Sequence, residues 1–287
     1  MAVIIPIREA IPDDVSKERD AAFSDAVEQV DNAALGAVPP SIVLSEQITS
    51  LLRNMSQDPD QIFLQLDALR TSLGTTADEW ASVLSDIAAQ SQSAIVQVGQ
   101  EIVDRPLIVA QFEFGAAQTV VQELDMLIDF AQSRITDVSR EVIEKVMLEV
   151  RLVALGSKSF TDAMDEVIKL VPPTGTGGGA AFRAEMILRT EVGRVLSFAT
   201  QERFEDLEEQ IPGLMKEWKH SGNLINPRDG HIAADGQRVA INDTFSVAAT
   251  LGGTKENIRF PRAPEASARN SIFCRCAMVP WHQSWED

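Results

Sequence analysis

A segment rich in proline and glycine, PPTGTGGGAA at 172–181, divides the chain into two parts of different character. Two prolines and four glycines fall within ten residues, and this composition interrupts helices and strands and is typical of a connector. Regular secondary structure is therefore expected on either side of it. We predict an acidic, all-helical region at 1–171, a linker at 172–180 and a second module at 181–287.

The first part has the apolar spacing of amphipathic helices. In its last long stretch, apolar side chains recur close to every 3.6 residues, which places them on one helix face. They are Val138, Val142, Ile143, Val146, Val150 and Val153. Ser159 followed by Asp162 predicts the N-terminal cap of a further helix. Three further helix boundaries are predicted: a C-terminal end at Gly74, a break at Pro106 and a new N-cap at Thr136.

The second part begins with a long helix and then changes character. The run AFRAEMILRTEVGRVLSFATQERFEDLEEQI predicts one helix, which Pro212 and Gly213 end. Beyond Trp218, short runs between Gly, Asn, Asp and Pro predict short strands and ordered loops. The expected fold class is α+β: a mostly helical N-terminal region, then a small module of a long helix with short antiparallel strands and ordered loops.

The net charge of −18 is concentrated in the first part. Residues 1–170 hold 28 acidic and 12 basic residues, whereas residues 171–287 hold 15 and 13. The first part should therefore repel nucleic-acid phosphates, and it suits docking on a basic protein surface. The second part has a mild basic string that supports at most non-specific contact with DNA. Its members are Arg259, Arg262, Arg269 and Arg275.

Cysteine usage and the N-terminal sequence bear on the compartment. Two cysteines in 287 residues exclude a disulfide framework as the main source of stability. The start, MAVIIPIREAIPDD, lacks the basic and long apolar regions of a signal peptide. No stretch approaches the roughly 18 consecutive apolar residues that a membrane-spanning helix needs. We therefore expect a soluble protein of a reducing cytoplasm, with no membrane partner.

The two cysteines, Cys274 and Cys276, are separated only by Arg275. Together with His231 they are candidate metal ligands, because zinc readily takes thiolate and imidazole groups, although structural zinc sites usually have Cys-x2-4-Cys spacing. Alternatively, both cysteines pack inward as small apolar residues of a strand while Arg275 points outward. A disulfide between them would close a very small, strained ring.

Catalytic interpretations use some of the same residues. A thiol nucleophile would need a base and an orienting group, for which His231 and Asp235 are candidates, but the spacing does not require this arrangement. Asp229 and Asp235 each precede a glycine, which is ordinary turn chemistry. The glycine-rich segment at 172–181 has neither the GK[ST] ending of a P-loop nor GxGxxG after a strand, so no nucleotide cofactor is expected.

A series of short motifs runs through the second part in a defined order: Arg-Thr-Glu on a helix, a Trp before a polar turn, a His, Asp-Gly-Gln, a short apolar segment, a Pro-rich turn and a closing Cys-Arg-Cys. The residues are Arg189, Thr190, Glu191, Trp218, His231, Asp235, Gly236, Gln237, Phe245, Pro261, Pro264, Cys274, Arg275 and Cys276. In this order, residues 150–287 resemble the Mu F-like domain of phage minor head proteins. Two steps depart from the family pattern, which closes on Asn-x-x-Cys-Arg-Cys: Asn270 stands three residues before Phe273 rather than beside the first Cys, and Asn223 stands where the family often has an acid.

The resemblance implies a phage minor head (capsid) protein that acts in head morphogenesis and virion assembly. It implies association with the portal protein inside the procapsid, in the virion interior near the portal vertex, after assembly in the host cytoplasm. Some members are implicated in DNA packaging or DNA ejection. The acidic helices lie outside the resemblance and suit docking on the portal, the scaffold or the major capsid protein. No enzyme activity and no cofactor are implied. The alternative is a metal-dependent hydrolase or toxin-like transferase that uses His231, Asp235 and Cys274/Cys276.

Overall fold

The computed structural model describes residues 12–117, 122–172, 178–222 and 227–285. The helices are α1 (Pro12–Leu35), α2 (Val38–Arg53), α3 (Pro59–Val109), α4 (Gln122–Ala154), α5 (Phe160–Leu170), α6 (Gly179–Leu207), α7 (Asp229–Ile232) and α8 (Ala268–Ser271). The strands are β1 (Leu214–Lys219), β2 (Arg238–Ala240), β3 (Phe245–Val247), β4 (Glu256–Ile258) and β5 (Ala277–His282), and a short 3-10 helix, Gln283–Trp285, follows. The predicted α+β class is confirmed. None of the described helices is long and apolar enough to cross a membrane.

Three predicted helix boundaries are wrong. The helix α3 continues through Gly74 and Pro106, and α4 continues through Thr136. A single glycine inside a helix costs only about 1 kcal/mol relative to alanine. The neighbouring side chains of Leu73 and Ala77 are fully buried, and this burial offsets the cost. Helix ends in this region follow from packing rather than from local breaking signals.

The described residues form two compact units. The first unit draws on Met1–Asn32, Ser91–Leu127 and Arg189–Asp287, and the second on Ala33–Gln90 and Ile128–Leu188. Each unit is therefore built from segments that are distant in the sequence. The predicted linker at 172–180 falls mainly on 173–177, which lie outside the described residues, so the division at that position stays a prediction.

The second unit has a core of apolar helix faces. The predicted stripe of α4 is confirmed, because five of its valines are buried: Val138, Val142, Val146, Val150 and Val153. They belong to one cluster with apolar residues of α2, α3, α5 and the first half of α6. The predicted cap of α5 is also confirmed, since Ser159 Oγ accepts a hydrogen bond of 3.1 Å from the backbone N–H of Asp162.

In the first unit, β1 is the central strand of a three-stranded antiparallel sheet with the order β2-β1-β5. In its pairing with β5, Trp218 stands opposite Met278. The strands β3 and β4 form a separate antiparallel pair. After α7 the chain returns to β1: the N–H of Gly236 donates to the Trp218 carbonyl at 2.8 Å, and the N–H of Trp218 donates to the Gln237 carbonyl at 2.9 Å.

Gly99 of α3 lies in tight contact with α6 inside the first unit. A Cβ atom at this position would lie 2.8 Å from both the Cβ of Ala199 and the carbonyl oxygen of Leu196. We expect Gly99→Ala to lower the free energy of unfolding by about 1–3 kcal/mol, because the two helices would have to move apart. Urea unfolding followed by circular dichroism measures this loss.

Gly74 provides a matched control on the same helix. A Cβ atom at Gly74 would meet nothing within 4 Å. Gly74→Ala should therefore raise the free energy of unfolding by about 0.5–1 kcal/mol, because alanine has the higher helix propensity. Effects of the same sign for the two substitutions would contradict the close contact at Gly99.

Candidate metal centre

His231 is carried by α7, a single helical turn whose position is fixed by its neighbours. Gly230 leaves no room for a side chain, since a Cβ atom there would lie 1.9 Å from the carbonyl oxygen of Ala248. The guanidinium group of Arg228 donates to the carbonyl oxygen of Ile272, in the segment that carries the cysteines. These contacts hold the imidazole of His231 against the cysteine segment.

The structure brings together the three candidate ligands that the sequence suggested. The Sγ atoms of Cys274 and Cys276 each lie 3.5 Å from Nδ1 of His231. All three ligand atoms lie within 4.8 Å of one another. The three residues are buried, with 1% of the surface of His231 and Cys274 exposed and 2% of that of Cys276. This group is a compact donor set for a borderline or soft metal ion.

Asn270, on α8, orients the imidazole of His231. Its Oδ1 lies 3.0 Å from Nε2 of His231. Because an amide oxygen only accepts hydrogen bonds, Nε2 carries a proton, and the ring is turned so that Nδ1 faces the sulfurs. The Asn270 amide nitrogen makes no hydrogen bond of normal geometry. It nevertheless adds to the hydrogen bonds from Ser267, which are the main reason that the pKa of Glu256 lies below its ordinary value.

Trp218 forms one wall of the centre. Its indole ring meets the imidazole of His231 edge-on, with 5.5 Å between ring centroids and an interplanar angle of 87°. It meets Phe245 at 5.4 Å. The buried indole N–H has no hydrogen bond of normal geometry, but it lies beside Cys276 and opposes the rise in the pKa of that thiol. A thiolate at Cys276 would be its natural acceptor.

The two thiols ionise as a pair. A hydrogen bond from Cys276, helped by His231 and by the charge of Arg262, holds the pKa of Cys274 well below its ordinary value in spite of burial. Burial, together with the neighbouring Cys274, raises the pKa of Cys276 well above its ordinary value. Of the two sulfurs, Cys274 is therefore the one on which negative charge is favoured when the pair loses its first proton.

Arg262 is a buried cation next to this pair. Its guanidinium group donates to the carbonyl oxygen of Cys274 at 2.5 Å and to the hydroxyl of Ser197 at 2.9 Å. Gly193 makes room for it, since a Cβ atom there would lie 2.8 Å from Nε of Arg262. Among the described residues, no carboxylate forms an ion pair with Arg262. Burial lowers the pKa of Arg262, and the nearby thiols Cys274 and Cys276 oppose this shift.

Asp235 and Gln237 have turn-forming roles instead of joining the sulfur–imidazole group. Asp235 is exposed, and its Oδ1 accepts a hydrogen bond of 2.7 Å from the backbone N–H of His220. Gln237 accepts one of 2.9 Å from the backbone N–H of Ser246 through its side-chain oxygen. Both residues thereby fix the chain between β1 and β3.

The Arg-Thr-Glu motif of α6 contacts the cysteine segment. The hydroxyl oxygen of Thr190 accepts a hydrogen bond of 3.2 Å from the backbone N–H of Phe273, a residue with a positive φ of 60°. Glu191 forms a largely buried ion pair of 3.0 Å with Arg194, one turn further along α6. The motif therefore supports the strained turn that leads into the cysteine pair.

Arg189 and Arg275, the two arginines of the resemblance, bind the same carboxylate. Both contact Oδ1 of Asp31 on α1, and the Nε atom of Arg275 lies 3.0 Å from that oxygen. Burial, and secondarily the charge of Arg275, lowers the pKa of Arg189 to about 10. This arrangement joins α1 to the motif-bearing part of the first unit.

Sequence reasoning missed several residues of this centre. In the sequence, Asn270 is recognisable only as a displaced motif residue, and its place shortly before Cys-x-Cys is the available signal. Of the basic string predicted to contact DNA, Arg262 is buried and Arg275 binds Asp31. The position of Arg262 between two prolines gave no indication of its burial, and nothing in the sequence pointed to Asp31.

Lys216 of β1 is a further buried cation in the first unit. Its Nζ atom donates to Gln201 Oε1 and to the carbonyl oxygen of Arg259, both at 2.9 Å. Burial lowers the pKa of Lys216 from 10.5 to about 8. Between these two pH values the unfolded chain binds more protons than the native protein, so this lysine should make stability rise with pH over that window.

The test compares Lys216→Met with the wild-type protein in urea unfolding at pH 7.5, 8.5 and 9.5. The difference in unfolding free energy between the two should change with pH, because only the wild type gains from deprotonation of the buried amine. The exposed Lys255 supplies the control, since Lys255→Met should follow the wild-type curve. Parallel curves for wild type and Lys216→Met would contradict the lowered pKa.

Comparison with known proteins gives one informative similarity. No protein-family model matches the chain, and no solved structure matches it. The chain is 30% identical over 143 residues to "Uncharacterized protein YqbB" of Bacillus subtilis (strain 168). The match covers 50% of this chain and 42% of the relative, so the chain spans less than half the length of that protein.

Proposed function

We propose that the protein is a phage minor head protein of the Mu F-like kind, which binds the portal during head morphogenesis and has no enzyme activity of its own. The observation that carries the proposal is the convergence of the motif residues. Spread from Arg189 to Cys276 in the sequence, they all lie in the first unit. Trp218 packs on His231, Thr190 binds the backbone of Phe273 next to Cys274, and Gly236 binds the backbone of Trp218. The motif order is thus explained by a single packed structure.

The roles of these residues favour an assembly module over an enzyme. His231, Cys274 and Cys276 are almost completely buried, whereas a nucleophile or an open metal site must be reached by substrate. Asp235, which the hydrolase or transferase alternative requires, is engaged with the backbone of His220. The geometry therefore supports the catalytic alternative less well.

The charge of residues 1–170 supports a protein partner. With 28 acidic and 12 basic residues, this part suits a basic surface on the portal, and secondarily on the scaffold or the major capsid protein. It is unsuited to packaged DNA, for which contact would be non-specific at most. In this proposal the protein lies in the virion interior near the portal vertex, and a role in DNA packaging or ejection follows from that place.

The experiment is a pull-down with tagged portal protein from the genome that encodes this chain. Retention of the full chain on portal oligomers at mild salt, and release as salt rises, is the expected result. An unrelated helical protein of similar net charge is the control for non-specific attraction. Mass spectrometry of purified particles before and after ejection should find the chain in the virion. A chain absent from particles and not retained by portal would rule out the proposal.

A further inference from the structure

We propose that His231, Cys274 and Cys276 bind one zinc ion, which fastens α7 to the segment before β5. The site is independent of the head-protein proposal, because it follows from the geometry of three side chains and their surroundings. Cys274 lies 43 residues and Cys276 45 residues after His231 in the sequence. The ion would therefore join two distant parts of the first unit.

The two sulfur–nitrogen distances are those of a tetrahedral zinc site. With Zn–S bonds of about 2.3 Å and Zn–N bonds of about 2.0–2.1 Å, a tetrahedral angle separates the sulfur from the nitrogen by about 3.6 Å. Both sulfurs lie 3.5 Å from Nδ1 of His231. An ion can thus enter between the three atoms with little movement of the side chains.

The Cys-x-Cys spacing is compatible with shared ligation in this structure. Both cysteines are buried, while the intervening Arg275 reaches out to Asp31. The residue between the ligands is therefore directed elsewhere, and the two sulfurs converge on the same imidazole nitrogen.

The surrounding groups suit a metal-bound thiolate pair. Asn270 fixes the Nε2 proton of His231, as the partners of zinc-bound histidines usually do, and so directs Nδ1 inward. The indole N–H of Trp218 makes no hydrogen bond of normal geometry but lies beside Cys276, where it would donate to a thiolate. The buried guanidinium group of Arg262 adds positive charge next to Cys274. The first of these features presents Nδ1 as a ligand, and the other two favour negative charge on sulfur.

Three protein ligands leave one tetrahedral position, which we assign to a water molecule enclosed with the ion. Catalytic zinc sites with three protein ligands complete their coordination in this way. This site differs from them because its three ligands are almost completely buried, so the role we assign to the ion is structural. A stabilising cross-link is therefore expected in place of hydrolytic activity.

The first measurement uses the unaltered full chain. Protein expressed with zinc should contain about one zinc ion per chain by elemental analysis. Replacement with cobalt should give the visible absorption of a tetrahedral ion and the near-ultraviolet charge-transfer band of thiolate ligands. Adding zinc to 100 times its dissociation constant should raise the Tm of the metal-free protein by about 5–10 °C.

Variants identify the ligands. Cys274→Ser, Cys276→Ser and His231→Gln should each lose the zinc, and Asn270→Ala should weaken zinc binding about 10–100-fold. His220→Gln is the matched control, because His220 lies outside the cluster, and it should retain the ion. The double variant Cys274→Ala/Cys276→Ala preserves small apolar side chains, so it should fold and yet show no zinc-dependent rise in Tm.

Three results would overturn the proposal. The first is a folded wild-type protein that binds neither zinc nor cobalt and whose thiols are alkylated equally fast with and without zinc. The second is zinc retained in full by the double alanine variant, which would place the ion elsewhere. The third is iron or copper found in place of zinc, which would exclude the zinc assignment.

Discussion

Trp218→Ala is expected to lower the free energy of unfolding by about 3–5 kcal/mol. The side chain is fully buried, and its loss would leave a cavity between the imidazole of His231 and the ring of Phe245, both of which it meets edge-on. The surrounding strands are paired through the backbone on both sides of β1, so they cannot collapse to fill the space. Guanidinium unfolding followed by circular dichroism measures the effect.

Two controls separate this role from general loss of aromatic surface. Trp218→Phe should cost clearly less, because the smaller ring still fills most of the volume. Trp285→Ala, at a partly exposed position near the end of the chain, should change the free energy of unfolding by no more than about 1 kcal/mol. A loss at Trp218 no greater than that at Trp285 would show that the centre does not depend on this wall.

Helices could be predicted from the sequence wherever apolar residues recur along one helix face. The valine stripe of α4 is buried as its 3.6-residue spacing indicated. Helix ends were less predictable, because Gly74 and Pro106 interrupt the local preference and α3 continues through both. Whether one glycine or proline ends a helix depends on how much burial the helix gains by continuing, and that quantity is a property of the tertiary structure.

The candidate centre was predictable in its ligands and unpredictable in its surroundings. A Cys-x-Cys pair and a histidine are recognisable by residue type, whatever the fold. The orientation of His231 depends on Asn270, and the charge near Cys274 depends on Arg262. These contacts join segments that only folding brings together, and neither residue type is specific for such a role. Arg262 even suggested the opposite, an exposed contact with DNA.

The packing partners of α1 could not be predicted from the sequence either. A division at 172–180 assigns α1 to the acidic helical region, whereas Asp31 binds the motif arginines Arg189 and Arg275 within the first unit. Charge composition describes the average preference of a segment for its surroundings. It cannot show which of the many carboxylates forms ion pairs with these two arginines.

Asp31→Ala should consequently lower the free energy of unfolding by about 3 kcal/mol, the second large effect. The side chain of Arg189 is 3% exposed and that of Asp31 is 31% exposed, so the ion pair is buried on the arginine side. Without the carboxylate, the buried charge of Arg189 would stand close to that of Arg275. Removing the partner of a buried charge costs more than the pair contributes, because the remaining charge stays desolvated. Urea unfolding at constant ionic strength measures the loss.

Asp14 on the same helix supplies the control. Its ion pair with Lys17 is exposed and 3.7 Å long, so Asp14→Ala should stay within about 0.5 kcal/mol of the wild type. A coupling test then isolates the arginine: once Arg189→Met has removed the buried charge, Asp31→Ala should cost markedly less than it does alone. If the two substitutions are instead additive, Asp31 does not stabilise the protein through Arg189, and α1 is held to the motif residues by other contacts.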